Sequence, residues 1–344
     1  MTQQLSTVAI DLAKKVFHLV GADTTGKILW RKRLTRHALM PFIAQLPLVL
    51  IGIEACGGAH DWARRFREHG HEVKLMAPQF VKPFVKSNKN DMRDAEAIAE
   101  AVTRPTMRFV PTKDIDQQDL QALHRVRERL IGERTALINE VHGLMNEYGI
   151  VIPTGVSKFH QAVVETLASA KDTLTALSQE MFGKLVEEFV ALEEQIAYDQ
   201  QKLESLAKTH PECQRLMTIP GIGPMTATAL IAAVGHVGVF KNGRQFAAWL
   251  GLVPRQRSTG GQTRLLGISQ RGDRYLRSLF TAGALAVIRY AKIHGTKHRP
   301  WLTALLARRP TKVAAIALAN KIARMAWAMM ARGDRYKQPV ALAA

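Results

Sequence analysis

Four acidic residues in the N-terminal third are placed where they could form one metal site. Asp11 directly follows a short apolar run, and Glu54 directly follows the longer run Leu46–Ile53. Asp91 and Asp94 open a predicted helix at i, i+3 spacing, so both carboxylates project from one helix face. Clustered carboxylates repel each other unless divalent cations neutralise them, and Mg²⁺ or Mn²⁺ favours such hard oxygen ligands. The four acids therefore predict metal-assisted displacement at a phosphate group.

Each acid also has a purely structural explanation. Asp91 and Asp94 could be first-turn residues that the helix dipole stabilises, and Asp11 could be an ordinary turn aspartate. Glu54 is harder to explain in this way, because it ends an apolar run that is typical of a buried central strand. The order of the four acids along the chain favours a functional set.

A second segment with chemical potential, GLVPRQRSTGGQTRLLGISQRGDRYLR, lies in the C-terminal third. Pro254 and the pair Gly260-Gly261 predict that Ser258 and Thr259 lie in a loop. The residues of this segment expected to bind nucleic acid are Arg255, Arg257, Thr259, Gly260, Gly261, Arg264, Arg271, Arg274 and Arg277. Phosphate binding is the role that the residues alone favour for the serine hydroxyl. The hydroxyl could also attack phosphorus if a base or metal helps to remove its proton and arginines stabilise the developing charge.

The segment Leu216–Gly235 is typical of two helices joined by the tight turn PGIG. The first helix is expected to end near Ile219, and the second to span Thr226–Val234. This pattern is similar to a helix-hairpin-helix motif, in which glycines, here Gly221 and Gly223, let backbone N–H groups approach a phosphate. A turn used only for packing is the alternative. A P-loop is excluded, because no Gly-Lys-Ser or Gly-Lys-Thr follows the glycines.

The elements that must position the acids form an α/β pattern. Apolar and β-branched runs predict a three-stranded meander and a buried central strand, at Thr7–Ile10, Val16–Val20, Lys27–Leu34 and Leu46–Ile53. The following residues predict a helix, a strand and a helix, at Ala59–His69, Glu72–Met76 and Asp91–Val102. The order βββαβα–α is typical of a ribonuclease-H-like fold.

The rest of the chain is predicted to be mainly helical. Apolar stripes run from Leu120 to Tyr148 and from Leu167 to Leu206, and Gly149–Gly155 separates them. The second stripe indicates a coiled coil that could pair within the chain or with another copy, and a plain helical hairpin is the alternative. Further helices are expected at Tyr275–Tyr290 and Ala314–Met330. Two tryptophans of this region are expected in the core rather than stacked on bases, Trp301 and Trp327.

Charge is divided unevenly among three expected regions. An α/β domain over 1–112 and a helical coiled-coil region over 113–210 precede a basic domain over 211–344. The last region holds 21 Lys and Arg residues against three Asp and Glu, out of 48 and 29 in the whole chain. So strong a local excess predicts contact with a polyanion, whose affinity comes from counterion release.

Other residues exclude several classes of protein. Two cysteines in 344 residues, far apart at Cys56 and Cys213, exclude a disulfide framework and a four-cysteine zinc site. The N-terminus lacks the basic and apolar regions of a secretory signal, and no continuous run of about 18 apolar residues predicts a membrane span. We therefore expect a soluble intracellular protein.

Taken together, the motifs resemble the DEDD-type insertion-sequence transposases of the IS110 family, whose members are bridge-RNA-guided recombinases. The resemblance covers nearly the whole chain and rests on VAIDLAKKVF, GIEACGGAH, NKNDMRDAEAIAEA, PGIGP and the serine segment quoted above. It implies a RuvC-like N-terminal domain whose four acids are Asp11, Glu54, Asp91 and Asp94. It also implies a C-terminal transposase domain in which Ser258 is the catalytic nucleophile, with Thr259 as the second candidate.

The resemblance implies partners that composition alone does not reveal. They are donor and target double-stranded DNA, a structured bridge RNA and further copies of the chain in a dimer or tetramer, in the nucleoid-associated cytoplasm of a prokaryote. Three alternatives stay open at this point. A RuvC-type junction endonuclease would use the acids and water without a covalent intermediate, and a nucleic-acid-binding protein would have no activity. An actin-like ATPase is disfavoured, because LAKK after Asp11 is not a glycine- and threonine-rich phosphate turn.

Overall fold

The computed structural model divides the chain into two compact units. It describes residues 4–86, 90–170, 173–295 and 299–337. The units are Met1–Asp116 with Val234–Val239, and Gln117–Ala233 with Phe240–Ala344. The predicted combination of an N-terminal α/β region and a mainly helical C-terminal region is confirmed.

The predicted boundary between a helical region and a basic domain at residue 210 is not decided by this division into two units. The predicted helical region 113–210 and basic region 211–344 both lie largely in the second unit, so their separation as domains stays a prediction. Asn88 and Lys89, which open the motif NKNDMRDAEAIAEA, lie outside the described residues.

The first unit is built on a six-stranded sheet with the order β3-β2-β1-β4-β5-β6. Its strands are β1 (Leu5–Asp11), β2 (Val16–Asp23), β3 (Ile28–Thr35), β4 (Leu50–Glu54), β5 (Glu72–Met76) and β6 (Phe109–Val110). β1 pairs antiparallel with β2 and parallel with β4, and β4 pairs parallel with β5. Because β1 and β4 are parallel neighbours, their last residues lie at the same edge of the sheet.

Helices cover both faces of this sheet. They are α1 (Arg36–Ala44), α2 (Ala59–Glu68), the short α3 (Pro78–Val81) and α4 (Asp91–Val102). Along β1, Val8 and Ile10 pack with α1 and α2, whereas Ala9 between them packs with α4, as alternation along a strand requires. Gly52 of β4 allows α4 a close approach, since a Cβ there would lie 2.9 Å from Val102 Cβ. Tight packing thus holds α4 across the sheet.

Two elements of this unit differ from the sequence prediction. The sequence does not predict α1, whose residues include Pro41, a helix breaker when it lies inside a helix. β4 begins at Leu50 and not at the predicted Leu46. Pro47 has no N–H to donate to a neighbouring strand, so regular pairing begins only after it.

The remaining elements are helices and one β-hairpin. In chain order they are α5 (Ile115–Asn146), α6 (Val156–Ser169), α7 (Ala176–Thr209), α8 (Pro211–Met217), α9 (Pro224–Val234), α10 (Gly243–Trp249), β7 (Pro254–Thr259), β8 (Gln262–Ile268), α11 (Arg274–His294), α12 (Pro300–Arg308) and α13 (Thr311–Arg332). Short 3-10 helices occur at Lys82–Phe84 and Val237–Val239.

Helices α5, α6 and α7 share one core within the chain. Phe159 of α6 packs there with Phe182 and Phe189 of α7, and Arg134 of α5 forms an ion pair with Glu193 of α7. The predicted second apolar stripe, from Leu167 to Leu206, does not lie on one continuous helix. Helix α6 ends at Ser169, and α7 begins at Ala176. Pairing of these helices with another copy stays a prediction.

The long helix α13 packs against α8, α10, α11 and α12. Its buried residues include Leu318, Ile322 and Ala326. Among the helices that the structure describes, it is the one whose length and mean hydropathy would suffice to cross a membrane. Lys321 and Arg324 interrupt its apolar sequence, and much of its surface is buried within the second unit.

Candidate active site

Three of the predicted acids meet at the end of β1. Carboxylate oxygens of Asp11, Asp91 and Asp94 all lie within 4.8 Å of one another. Asp11 is the last residue of β1, and the two other aspartates lie in the first turn of α4, which packs against β1 and β2. Asn90 caps α4 by accepting a hydrogen bond from the Met92 N–H at 3.0 Å, which defines where that first turn begins. The helix start and the strand end together create the cluster.

Glu54 ends β4, the strand next to Asp11. β1 and β4 run parallel with Ile10 opposite Ile53, so the next residues along the two strands are Asp11 and Glu54. Burial, and then the charges of Glu54 and Asp11, raise the pKa of the Cys56 thiol. Both carboxylates therefore lie close enough to this thiol to affect it. Glu54 lies outside the group of three whose oxygens approach within 4.8 Å. The structure therefore brings three acids together and places the fourth on the adjoining strand end.

His18 also borders this cluster, although its sequence context does not single it out. It lies opposite Asp11 in the β1–β2 ladder, and its Nδ1 is 3.8 Å from Asp91 Oδ2. That nitrogen is buried and makes no hydrogen bond with any residue that the structure describes. The register of β2 against β1 is what reveals it, since strand pairing connects residues that are distant in sequence.

The donor set fits a divalent cation. Carboxylate oxygens from a strand end and a helix start are hard ligands of the kind that Mg²⁺ and Mn²⁺ prefer. Asp91 is exposed while Asp11 and Asp94 are half-buried, so the cluster can be reached from solvent. Carboxylates this close repel one another, and a bound cation offsets that repulsion.

Ser258 lies in a β-hairpin, so the prediction of a loop for this segment is wrong. β7 and β8 pair antiparallel, and Gly260-Gly261 joins them. Both glycines have positive φ, 56° and 77°, which is the backbone conformation that a two-residue hairpin turn requires. The glycine pair that indicated a loop is therefore the turn, and the residues of β7 on which Ser258 lies are all exposed.

Alternation along this hairpin separates Ser258 from two of the neighbouring arginines. Ser258 lies opposite Thr263, and Arg257 lies opposite Arg264. Because successive strand residues point to opposite faces, the hydroxyl pair shares one face and the arginine pair the other. Ser258 Oγ accepts a hydrogen bond from Gln256 Nε2 at 2.7 Å and lies 3.4 Å from Thr263 Oγ1. The expectation that Arg257 and Arg264 surround Ser258 is wrong for this arrangement.

The two opposed arginines have a consequence of their own. Like charges directly opposite each other destabilise an antiparallel pair. Arg257 and Arg264 are both exposed, and β7 and β8 contain no acidic residue that could offset them. Arg255, at the irregularity between Pro254 and Gln256, adds a third positive charge. A phosphate backbone lying along this face would relieve the repulsion.

The basic residues beyond β8 have different environments. Arg271 and Arg274 are exposed, and Arg274 is the first residue of α11. Arg277 instead donates from Nη1 to the carbonyl oxygens of Leu250, at 3.1 Å, and Gly272, at 3.5 Å. These bonds connect α11 to the end of α10, which gives Arg277 a structural role.

The predicted turn between α8 and α9 is packed against the chain itself. Gly221 has a φ of 98°, and a Cβ at this position would lie 2.9 Å from Ile322 Cδ1. On the other side of the contact, a Cβ on Gly283 of α11 would lie 1.9 Å from the Gly221 carbonyl oxygen. The groups that approach the Gly221 backbone closely therefore belong to this chain itself. Gly223 is exposed, with open space beside it.

Two protein-family profiles match this chain. The profile described as the transposase IS116/IS110/IS902 family matches residues 213–299, which include α9, the hairpin and α11. A transposase profile for the DEDD type of IS110 matches residues 8–150, which include all of the acids described above.

Full-length relatives are similar over almost the whole chain. A probable family 20 transposase from Pseudomonas aeruginosa is 47% identical, over 97% of this chain and 99% of its own length. The transposase for insertion sequence element IS1111A from Coxiella burnetii is 42% identical, over 97% of this chain and 92% of its own. The transposase for insertion sequence element IS1328 from Yersinia enterocolitica is 41% identical, over 97% and 99%.

Proposed function

This chain belongs to the IS110 family of DEDD transposases, which cut and rejoin DNA, and we propose that it does so as a bridge-RNA-guided recombinase with Ser258 as its nucleophile. The observation that carries the proposal is the exposed Ser258 hydroxyl on a hairpin whose charged residues are all arginines. An accessible hydroxyl can attack a DNA phosphate, and Arg257 and Arg264 on the opposite face of the same hairpin can hold nucleic acid close to it. Thr259, the second candidate, shares the opposite face with Arg257.

The acidic cluster supplies the metal-binding part of this proposal. Asp11, Asp91 and Asp94, joined by Glu54, would hold Mg²⁺ or Mn²⁺, and such a cation when bound stabilises negative charge on a phosphate undergoing displacement. A RuvC-like assignment of residues 1–112 is supported by the strand order, in which an antiparallel meander adjoins the parallel strands β1, β4 and β5.

In the proposed strand exchange, the Ser258 hydroxyl is the attacking group. Its Oγ attacks a DNA phosphorus, a bond from Oγ to phosphorus forms, and one bridging P–O bond of the DNA breaks. The serine proton is lost and the leaving DNA oxygen gains a proton. Gln256 already donates to Oγ, so the hydroxyl hydrogen points away from that amide. Rejoining is the reverse, in which a DNA hydroxyl attacks the phosphoserine and restores the Ser258 hydroxyl.

Nucleic acid would be held by the second unit. Its exposed candidates are Gly223, Arg255, Arg257, Thr259, Gly260, Gly261, Arg264, Arg271 and Arg274. Gly221 and Arg277 would support them indirectly through the packing described above. The partners are donor and target DNA, a structured RNA and further copies of the chain, paired as a dimer or tetramer through the helices over 113–210. Such pairing would let the acids and the serine of one site come from different copies.

A metal-dependent endonuclease without a covalent intermediate is the second candidate. The observation that favours it is that the acidic cluster lies wholly in the first unit, whereas Ser258 lies in the second. In that case water would attack the phosphate, and Ser258 would only bind DNA.

Trapping a covalent adduct distinguishes the two candidates. Labelled DNA carrying an end of the insertion sequence is incubated with Mg²⁺, the full chain and its co-purifying RNA, and then denatured. We expect a protein–DNA adduct with the wild type and with Thr259→Ala, and none with Ser258→Ala. An adduct that persists in Ser258→Ala would disprove the nucleophile. Metal-dependent cutting without any adduct would favour the endonuclease.

The RNA part of the proposal has its own test. RNA that co-purifies with the chain is sequenced, and DNA duplexes matching its loops are offered for recombination. A single structured RNA and recombination at the matching duplexes are expected. Random RNA fragments would contradict RNA guidance while leaving the serine chemistry intact.

A further inference from the structure

An open groove of about 1310 Å³ lies in the second unit between the base of the β7–β8 hairpin and helices α10, α12 and α13. We call it the α13 groove. Its apolar wall comes from both the hairpin and the helices, and includes Leu252, Pro254, Leu266, Ile268, Val313 and Ile316. The proposed chemistry at Ser258 does not use this groove, and the sequence alone does not reveal it.

Two tryptophans line the α13 groove. Trp301 is 39% exposed, so the expectation that it lies in the core is wrong. Lys321 Nζ lies 4.6 Å from the centre of its ring, a cation–π contact. The indole nitrogen of Trp327 is buried and makes no hydrogen bond to any described residue. The groove therefore offers the partly exposed, flat aromatic surface of Trp301.

The charged residues of the groove are all cationic. They are Arg244, Lys312, Lys321 and Arg324, and none of the lining residues that the structure describes is acidic. Another copy of the same basic region would bring positive charge against positive charge. A ligand that combines negative charge with flat apolar rings is complementary to both the cations and the tryptophans. Single-stranded nucleic acid with unstacked bases has this combination.

The groove adjoins the hairpin that carries Ser258. Pro254 and Ile268 line the groove and are paired with each other at the base of the hairpin. Ser258 lies four residues further along β7, a distance of about 13 Å at the usual rise of a strand. A nucleic-acid strand that leaves the groove along β7 would thus pass Ser258.

We propose that the α13 groove binds an unpaired stretch of nucleic acid. A base stacks on Trp301, and phosphates contact the four cations. Lys321 exchanges its contact with the ring for a phosphate. This function concerns binding and does not depend on Ser258 being the nucleophile.

Equilibrium binding of short oligonucleotides to the full chain tests the stacking. The probes are fluorescein-labelled dT12, its RNA counterpart U12 and a strand of equal length with abasic sites. Trp301→Leu should weaken the binding of dT12 or U12 about tenfold, the effect typical of losing one stacked base. Trp301→Phe should retain most of the affinity. Tyr290→Leu, which removes an exposed aromatic residue of α11 outside the groove, should have no effect. The abasic strand should bind the wild type weakly, and Trp301→Leu should not change its affinity.

Salt dependence tests the phosphate contacts. The double variant Lys321→Gln, Arg324→Gln should reduce the slope of log K against log salt for dT12 by about 1.4, from about 0.7 per phosphate contact. Lys208→Gln, an exposed lysine of α7, is the matched control and should leave the slope unchanged. Thermal melting of each variant confirms that it is folded.

Several outcomes would overturn the proposal. Equal binding of dT12 and the abasic strand to wild type would show that no base is stacked. Unchanged affinity in Trp301→Leu would do the same. Loss of self-association in the groove variants, with oligonucleotide affinity unchanged, would make the groove a protein interface. A preference for U12 would assign the strand to RNA, and a preference for dT12 to DNA; either preference supports the proposal.

Discussion

Ser258 and Arg257 are adjacent in β7, yet their side chains leave opposite faces of the β7–β8 hairpin. Ser258 shares its face with Gln256 and Thr263, with which its hydroxyl interacts, whereas Arg257 lies directly opposite Arg264. One face therefore presents the Ser258 hydroxyl, and the other presents paired positive charges. Substitutions on the two faces can be made separately.

Arg257→Gln should weaken duplex DNA binding and make it less sensitive to salt. Each lost phosphate contact lowers the slope of log K against log salt by about 0.9. The same change should stabilise the free hairpin by about 0.2–1 kcal/mol, since it removes a like-charge pair. Binding titrations at several salt concentrations measure the first effect, with Arg289→Gln on α11 as the control. An unchanged slope would mean that Arg257 contacts no phosphate.

Asp94→Asn should have opposite effects on stability and on catalysis. Without divalent cations the variant should melt at a higher temperature than wild type, because one of three mutually repelling carboxylates is neutralised. Added Mg²⁺ should raise the melting temperature of wild type more than that of the variant. DNA cleavage should fall by about 100-fold or more, because metal assistance contributes several kcal/mol.

The control for this comparison is Asp61→Asn in α2, an aspartate that pairs with Arg64 and Arg65. It should keep the stabilisation by Mg²⁺. A Mg²⁺-dependent rise in melting temperature that is equal in Asp94→Asn and wild type would contradict the predicted metal site.

Low pH should destabilise the second unit through His124. This residue is buried, with Nδ1 2.9 Å from the Tyr275 hydroxyl and Nε2 2.9 Å from Thr228 Oγ1. Thr228 donates its own hydrogen to the Pro224 carbonyl, so His124 carries its proton on Nε2 and accepts from Tyr275 at Nδ1. Burial, with a smaller effect of Arg127, lowers the pKa of His124 to about 4.

The direction of this pH dependence follows from the pKa of His124 in the folded and unfolded states. The folded pKa lies below the ordinary value of about 6.5, so the unfolded chain binds the proton first as the pH falls. Stability is therefore complete above pH about 6.5 and decreases by roughly 3 kcal/mol towards pH about 4. Urea unfolding at a series of pH values measures it. His124→Gln should show a smaller loss; an unchanged pH dependence would refute this role.

Gly283→Ala should destabilise the chain far more than Gly223→Ala. A methyl group at Gly283 would collide with the Gly221 carbonyl oxygen, which belongs to backbone and cannot rotate away. At Gly223 nothing lies within 4 Å of the added carbon. Thermal melting should show a large drop for the first variant and little change for the second. Equal melting temperatures would mean that the turn is not packed against α11 as described.

Local sequence patterns predicted most elements that have a strong period or a clear end. The apolar, β-branched runs of β1 and β2 and the helix formers of α4 are examples, and these elements lie close to their predicted positions. α1 was missed because Pro41 lies inside it. The β7–β8 hairpin was missed because Gly260-Gly261 fits a loop as well as a two-residue turn, and only pairing between the flanking residues distinguishes them.

By itself the sequence determined that Asp11 and Glu54 end strands, that Asp91 and Asp94 begin a helix, and that positive charge gathers in residues 211–344. Only the tertiary structure decided which carboxylates converge and which way Ser258 points. Convergence depends on parallel pairing of β1 with β4 and on α4 packing across β1, contacts between residues far apart in sequence. The direction of Ser258 depends on ladder register, since a shift of one residue reverses the face of every side chain.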